Sequence, residues 1–176
     1  MIIHGKGGHG KVVLDAAYAA GWVGVTVTDD SEGTRPLATD RFITAIGDSA
    51  VRRAVRGTVN VIHPTAYIAE SAKIGLGVYV GAFAVVNPDS VVGDGAIINT
   101  HAVVEHDCTV GAFAHIAPGA VLCGGVTIGD NVLIGANSVV KQGLAVSGGV
   151  TVGCGAVVVE DIPAGETWAG NPARLL

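Results

Sequence analysis

Aliphatic residues recur at every sixth position along the last two-thirds of this chain. Stepping from Ile62, the positions are Ile68, Ile74, Val80, Val86, Val92, Ile98, Val104, Val110, Ile116, Leu122, Ile128, Ile134, Val140, Val146, Val152 and Val158. A second lane, four residues after each aliphatic, is mostly small and includes Ala66, Ala84, Ala102, Cys108, Ala120 and Ala156. Gly often follows the aliphatic directly, as at Gly81, Gly111, Gly129 and Gly135. A fixed period without insertions is the mark of a repeat architecture. Each hexapeptide is predicted to form one short strand and one turn. The aliphatic points inward, the small residue sits near the corner, and Gly or Asn relieves backbone strain at the turns. Three units close a triangular coil, and residues 61–160 supply about five to six coils around a continuous aliphatic column.

The first 58 residues follow another pattern. Met1–His4 is a short apolar run, followed by Gly5-Lys6-Gly7-Gly8-His9-Gly10. An amphipathic helix is predicted over Lys11–Ala20, a strand over Val23–Thr28 ending at Asp29 and Asp30, and a strand over Arg41–Ile46. Asp48 or Ser49 is placed to cap a further helix through Arg56. The order β-α-β-β-α predicts a small Rossmann-like parallel sheet. The chain therefore divides into an α/β Rossmann-like unit, residues 1–58, and an all-β parallel β-helix, residues 59–176, with residues 57–62 as the link.

Composition fits this division. Apolar residues make up 49% and charged residues 14%, while 27 glycines and 5% aromatics suit tight turns and small aliphatic packing. A net charge of −5 offers no electrostatic footprint for nucleic acid or an anionic membrane. Cys108, Cys123 and Cys154 are odd in number and lack CxxC spacing, which reads as reduced thiols in the cytoplasm. No signal-peptide core and no apolar run of spanning length is evident, so a soluble chain without membrane insertion is expected.

Two segments carry chemistry. The glycine run matches G-x-G-x-x-G, with Asp29 nineteen residues beyond Gly10. Such glycines let a backbone approach a diphosphate at a helix N-terminus. A dinucleotide, a single nucleoside diphosphate and a purely structural turn all fit the pattern. The unit has about half the strands of a dinucleotide fold, which favours the single diphosphate. The second segment runs from Asn99 to Cys108, where Glu105 and Asp107 flank His106. A His beside a carboxylate suits a general base, because the acid fixes its tautomer and raises its basicity. The plainer reading is an exposed histidine with no task. His101 lies five residues before His106, so a shared metal is a third reading, with His63 or His115 needed as a further ligand.

Gly7-Gly8-His9, Asp29-Asp30, Ala45-Ile46-Gly47, the Ile98–Cys108 segment and the ending Gly170-Asn171-Pro172-Ala173-Arg174 together resemble the bacterial nucleotide-sugar N-acetyltransferases. These include the enzymes of bacillosamine and perosamine N-acetylation and are related to the sialic acid O-acetyltransferases. The resemblance spans the whole chain. It implies a left-handed β-helix, a homotrimer with active sites between subunits, acetyl-CoA as donor, a nucleotide-linked amino sugar as acceptor, and no metal.

Residue by residue, the resemblance makes His106 the catalytic base and Asp107 the acid that modulates it. Gly7, Gly8 and His9 would surround the nucleotide diphosphate. Asp29, Asp30 and Gly47 would lie near the nucleoside, and Asn99 would line the acceptor pocket. His115 would contact the thioester region. Ala136 and Cys154 would offer backbone contacts to acetyl-CoA, and Pro172 and Arg174 would flank its tail. Lys6 and His101 replace small residues of the family pattern. The tandem acids and the short stretch from Asp30 to Phe42 look more like the UDP-bacillosamine branch than the GDP-perosamine branch. Besides the N-acetyltransferase, the rivals are an O-acetyltransferase, a metal-dependent hydratase on the same β-helix, and a non-catalytic scaffold that binds nucleotide sugar.

Overall fold

Every aliphatic of the six-residue lane is the second residue of a two-residue strand that ends in a tight corner. The computed structural model describes residues 1–176. Strands eighteen residues apart pair in parallel and in register, as Ile97–Ile98 does with Tyr79–Val80 and His115–Ile116. The coils thereby generate three parallel faces. Face one begins at Val61–Ile62, face two at Tyr67–Ile68 and face three at Lys73–Ile74. Inside them lies one core of 27 buried residues, almost all Val, Ile, Leu and Ala from the two lanes. Face one is extended by a strand at Thr167–Ala169, which pairs antiparallel with Arg174–Leu175.

Gly and Asn do relieve a left-handed backbone at the turns, but not at the position directly after the aliphatic. That conformation falls two residues later, three after the aliphatic, at every corner from Gly77 to Gly155. Seven of these corner residues are not glycine: Phe83, Asp89, His101, Asp107, Phe113, Asn131 and Asn137. The glycine after the aliphatic is needed for space instead. A β-carbon on Gly111 would lie 2.4 Å from the Gly129 carbonyl carbon, and one on Gly135 would lie 2.6 Å from Cys154 N. No flexible side chain can yield there, because the obstacle is the backbone of the next coil.

The N-terminal unit has the expected order with shifted ends. Strand β1 (Ile2–His4) is followed by α1 (Gly8–Ala19), β2 (Thr26–Thr28), β3 (Phe42–Thr44) and α2 (Ser49–Ala54). The sheet order is β2-β1-β3, all parallel. Helix α1 starts at Gly8, three residues before the predicted start, with Gly7 as N-cap. Strand β2 starts at Thr26 rather than Val23, since Gly24 turns at φ 61° and leaves Val23 exposed. Asp48 caps α2, accepting from the Ala50 and Val51 amides.

The unit docks on face one. A second core joins Ile3, Val13, Ala16, Ala17, Ile43 and Ala45 to Val61, Tyr79 and Ile97, the outward residues of the first three strands of that face. Arg52 crosses the junction, 2% exposed. It donates to the Ile46 and Gly47 carbonyls on its own side and to the Gly95 and Phe113 carbonyls of the β-helix. No helix is long and apolar enough to cross a membrane.

Candidate active site

The glycine run serves two purposes. Gly5 and Gly10 are packing residues. A β-carbon on Gly10 would stand 2.0 Å from the Gly5 carbonyl oxygen, so glycine here lets α1 close on β1. Gly5 itself has φ 124°. Gly7, Gly8 and Gly47, in contrast, face open space, with nothing within 4 Å of a β-carbon. The first turn of α1 thus presents backbone amides without a side chain in front of them, as close approach by an anion requires.

The tandem acids frame this loop. Asp29 accepts from the Lys6 amide at 2.9 Å and from Ser31 N and Oγ. These bonds hold its carboxyl down at about 2. It therefore ties the glycine run to the turn after β2. Asp30 forms a two-pronged pair with Arg35, which lowers its pKa. Asp30 Oδ1 also lies 3.3 Å from Nε2 of the fully buried His4, out of line for a hydrogen bond. Lys6 pairs with Glu32.

Beside the loop, His9 and His115 come together with their ring centres 6.3 Å apart, and His9 meets Tyr79 edge-on. Burial first, and Arg52 second, push both imidazoles down to about 4. Both are neutral near pH 7, and His9 Nε2 is buried without a protein partner. Asn99 Nδ2 lies 3.1 Å from His115 Nε2. A cavity of about 230 Å³ joins Gly47 and Arg52 to His115, Leu133 and Thr151. The roomiest cavity, about 360 Å³ between Arg35, Phe42, Arg53 and Arg56, holds neither the glycine loop nor a histidine.

His106 and Asp107 lie elsewhere, on the corner between face two and face three. Asp107 is one of the left-handed corner residues, with φ 60°. That turn folds its carboxylate back onto His106, whose Nδ1 is 2.8 Å from Asp107 Oδ2. The bond raises the His106 pKa above its ordinary 6.5. The corner is pinned from both neighbouring coils. Ser90, fully buried, donates to the Glu105 carbonyl and accepts from the Cys108 amide, and the Gly125 amide donates to the His106 carbonyl. The imidazole itself is 63% exposed, its side-chain hydrogen bond is made through Nδ1, and its Cε1–Nε2 edge lies toward Gly124 of the next coil. Cys108 is buried and its thiol pKa is raised by burial, the reverse of what activates a thiol nucleophile.

The predicted site residues therefore form separate groups within one chain. Gly7, Gly8, His9, Asp29, Asp30, Gly47, Asn99 and His115 gather around face one and the N-terminal unit. Ala136 and Cys154 lie on the corner between faces one and two, with Cys154 exposed. Pro172 follows a cis peptide bond, and Arg174 pairs with Glu160 at 2.9 Å. His101 shares the corner of Ala136, stacked on Phe83 with 5.0 Å between ring centres. It stands across face two from His106, and no three His, Cys, Asp or Glu side chains converge as a metal shell would. Sequence reasoning missed Arg52 and Ser90. Ser90 was visible as a hydroxyl in a lane of alanines, whereas Arg52 had no local signal.

The bacterial transferase hexapeptide model (six repeats) matches residues 89–124 and 107–142, and the PglD N-terminal domain model matches residues 1–40. No curated protein matches. Among solved structures, a mutant of GDP-perosamine N-acetyltransferase from Caulobacter crescentus, in complex with CoA and GDP-perosamine, superposes with a TM-score of 0.92. It is 35% identical over 99% of this chain and 95% of that one. The acetyltransferase domain of PglB from Neisseria gonorrhoeae, in complex with acetyl coenzyme A, gives 0.91 at 39% identity, covering 99% and 98% of the two chains. WeeI from Acinetobacter baumannii gives 0.86 at 28% identity, covering 99% and 98%.

Proposed function

The chain belongs to the nucleotide-sugar N-acetyltransferases that join a PglD-type N-terminal domain to a hexapeptide β-helix, and on that premise we propose that it acetylates the 4-amino group of a UDP-linked 4-amino-4,6-dideoxy sugar, with His106 as general base. It is an acetyl-CoA-dependent sugar N-acetyltransferase. The observation that carries the assignment of the base is the His106–Asp107 pair: Nδ1 bound to a carboxylate, on a ring that is mostly exposed. In the reaction the sugar amine attacks the thioester carbonyl carbon and passes a proton to Nε2. The carbon–sulfur bond breaks as the carbonyl reforms, and the departing sulfur takes up the proton. Asp107 stabilises the intervening imidazolium, and backbone N–H groups support the oxyanion. The remainder of the rate comes from holding both substrates in one cleft.

Residues 1–58 serve as the acceptor-binding unit in this reading. The open faces of Gly7 and Gly8, with His9 beside them, take the diphosphate, Asp29, Asp30 and Gly47 lie at the nucleoside, and Asn99 lines the acceptor pocket. His115, Ala136, Cys154, Pro172 and Arg174 serve acetyl-CoA. The placement of His106 and the acceptor loop on different sides of one column supports a homotrimer in which a neighbouring subunit completes each site. So does face two, whose outward residues Val85, Val103, Val121, Val139 and Val157 form an aliphatic ladder only partly covered within one chain. Use of acetyl-CoA supports a cytoplasmic location.

The perosamine enzyme, with its TM-score of 0.92, makes GDP the alternative nucleotide. The test is thiol release from acetyl-CoA with UDP- and GDP-linked 4-amino sugars. The UDP acceptor is expected to give the highest kcat/KM. A GDP preference overturns the nucleotide assignment, and silence with every 4-amino acceptor overturns the function. Sedimentation showing an active monomer overturns the trimer.

A further inference from the structure

Gly124 stands one coil beyond His106 on the same corner, eighteen residues later in the chain. A β-carbon built there would meet His106 Cε1 and Nε2 at 2.6 Å and Cδ2 at 3.3 Å, and its three nearest atoms all belong to that imidazole. Nothing else in the fold asks for glycine at this position. Its φ lies outside the left-handed region, unlike that of Gly125. Gly111, Gly129 and Gly135, which directly follow an inward aliphatic as Gly124 does not, face the backbone of the next coil. Gly124 faces a catalytic candidate.

We infer that Gly124 is a positioning residue for the reaction, its bare α-carbon forming the floor against which the Cε1–Nε2 edge of the His106 imidazole rests. The inference rests on the reading of His106 as base. The corner's backbone is fixed by Ser90 and by the next coil, so only the ring is free to choose its place. Two contacts define that place: Asp107 holds Nδ1, and Gly124 lets the opposite edge settle against the coil. A methyl group at 124 would sit about 0.8 Å short of the 3.4 Å at which ordinary contact begins. The backbone need not move, because the exposed ring can swing away. Swinging takes Nε2 off its line or lengthens the bond to Asp107. The substitution is therefore tolerated by the fold and felt by the chemistry.

The test is Gly124→Ala in the wild-type enzyme and in a His106→Ala background. A misplacement near 1 Å costs up to about 10²-fold, so kcat should fall by about 10- to 100-fold. The melting temperature and the KM for acetyl-CoA should stay at their wild-type values. NMR should show the His106 pKa moving down toward 6.5 as the Asp107 bond loosens. In the His106→Ala background the same substitution should cost nothing more, the signature of a residue acting through another. Wild-type kcat in Gly124→Ala overturns the inference, and so does an equal loss with and without His106. If His106→Ala keeps wild-type kcat, the general-base reading itself falls, a result distinct from either of these.

Discussion

The Asn99 amide donates to His115 Nε2 across 3.1 Å, from one coil of face one to the next. The Thr100 amide donates to Asn99 Oδ1 at 2.9 Å, which turns the NH₂ end toward the ring. His115 Nε2 is thus an acceptor and the ring proton sits on Nδ1. A neutral ring of fixed tautomer can donate to a carbonyl oxygen without bringing charge into the cleft.

Stability should fall as pH drops from about 6.5 to about 4. His9 and His115 titrate near 6.5 when unfolded and at about 4 when folded, so the unfolded state binds more protons in this window. Their contribution is present above 6.5 and is lost as pH falls through 4. The depression corresponds to about 3 kcal/mol per ring, with the two rings coupled and so less than additive. Urea unfolding from pH 4 to 8 measures the slope, and His115→Asn should flatten it.

His106→Ala should lower kcat by about 10²–10⁴-fold, leaving the acetyl-CoA KM and the melting temperature in place. Asp107→Asn should cost less. Asn accepts the left-handed corner, so the backbone stays while the charge goes. Since a base works unprotonated and Asp107 raises the His106 pKa, removing that charge should shift the acid limb of kcat/KM to lower pH. A pH–rate profile that keeps its acid limb in Asp107→Asn counts against the pair.

Arg52→Met should destabilise the junction between the N-terminal unit and the β-helix. Four carbonyls lose a charged donor, and leaving such groups unpaired should cost about 3 kcal/mol or more. For a chain of this length that is roughly 10 °C in Tm. Burial lowers the Arg52 pKa to about 10, so it remains charged at neutral pH. Its removal should let the His9 and His115 pKa values rise, measurable by NMR. An unchanged Tm would show that the carbonyls find other donors.

Gly10→Ala and Gly8→Ala should separate packing from binding. The first drives a methyl into the Gly5 carbonyl and should cost about 1–3 kcal/mol or more, read by denaturation. The second meets nothing in the fold, so stability should hold while the acceptor KM rises and the acetyl-CoA KM does not. Equal KM effects on both substrates would place Gly8 outside the acceptor site.

The aliphatic column was legible because every inward position repeats the same requirement. The N-terminal elements were legible in order but not in extent. Gly8, His9 and Gly10 are poor helix formers, yet α1 includes them because Gly10 packs on Gly5. The docking surface was hidden by the period itself. Val61, Tyr79 and Ile97 lie eighteen residues apart, and a lane read in steps of six averages this face with the two others. Arg52 and Gly124 were illegible for a related reason. One acts across the two units and the other across one coil, so neither leaves a mark among its sequence neighbours.

The left-handed corners turn the column into a graduated ruler. Each graduation is eighteen residues long in sequence and one strand spacing, about 4.8 Å, along the axis. A His-Asp pair written eighteen residues earlier or later would land on the same edge, in the same orientation, one notch away. Corner side chains as different as Phe83, Asp107 and Asn137 already occupy this conformation without entering the core. The height of such a pair along the axis can thus be reset by moving a pair of letters along the text, with the aliphatic spine left unedited.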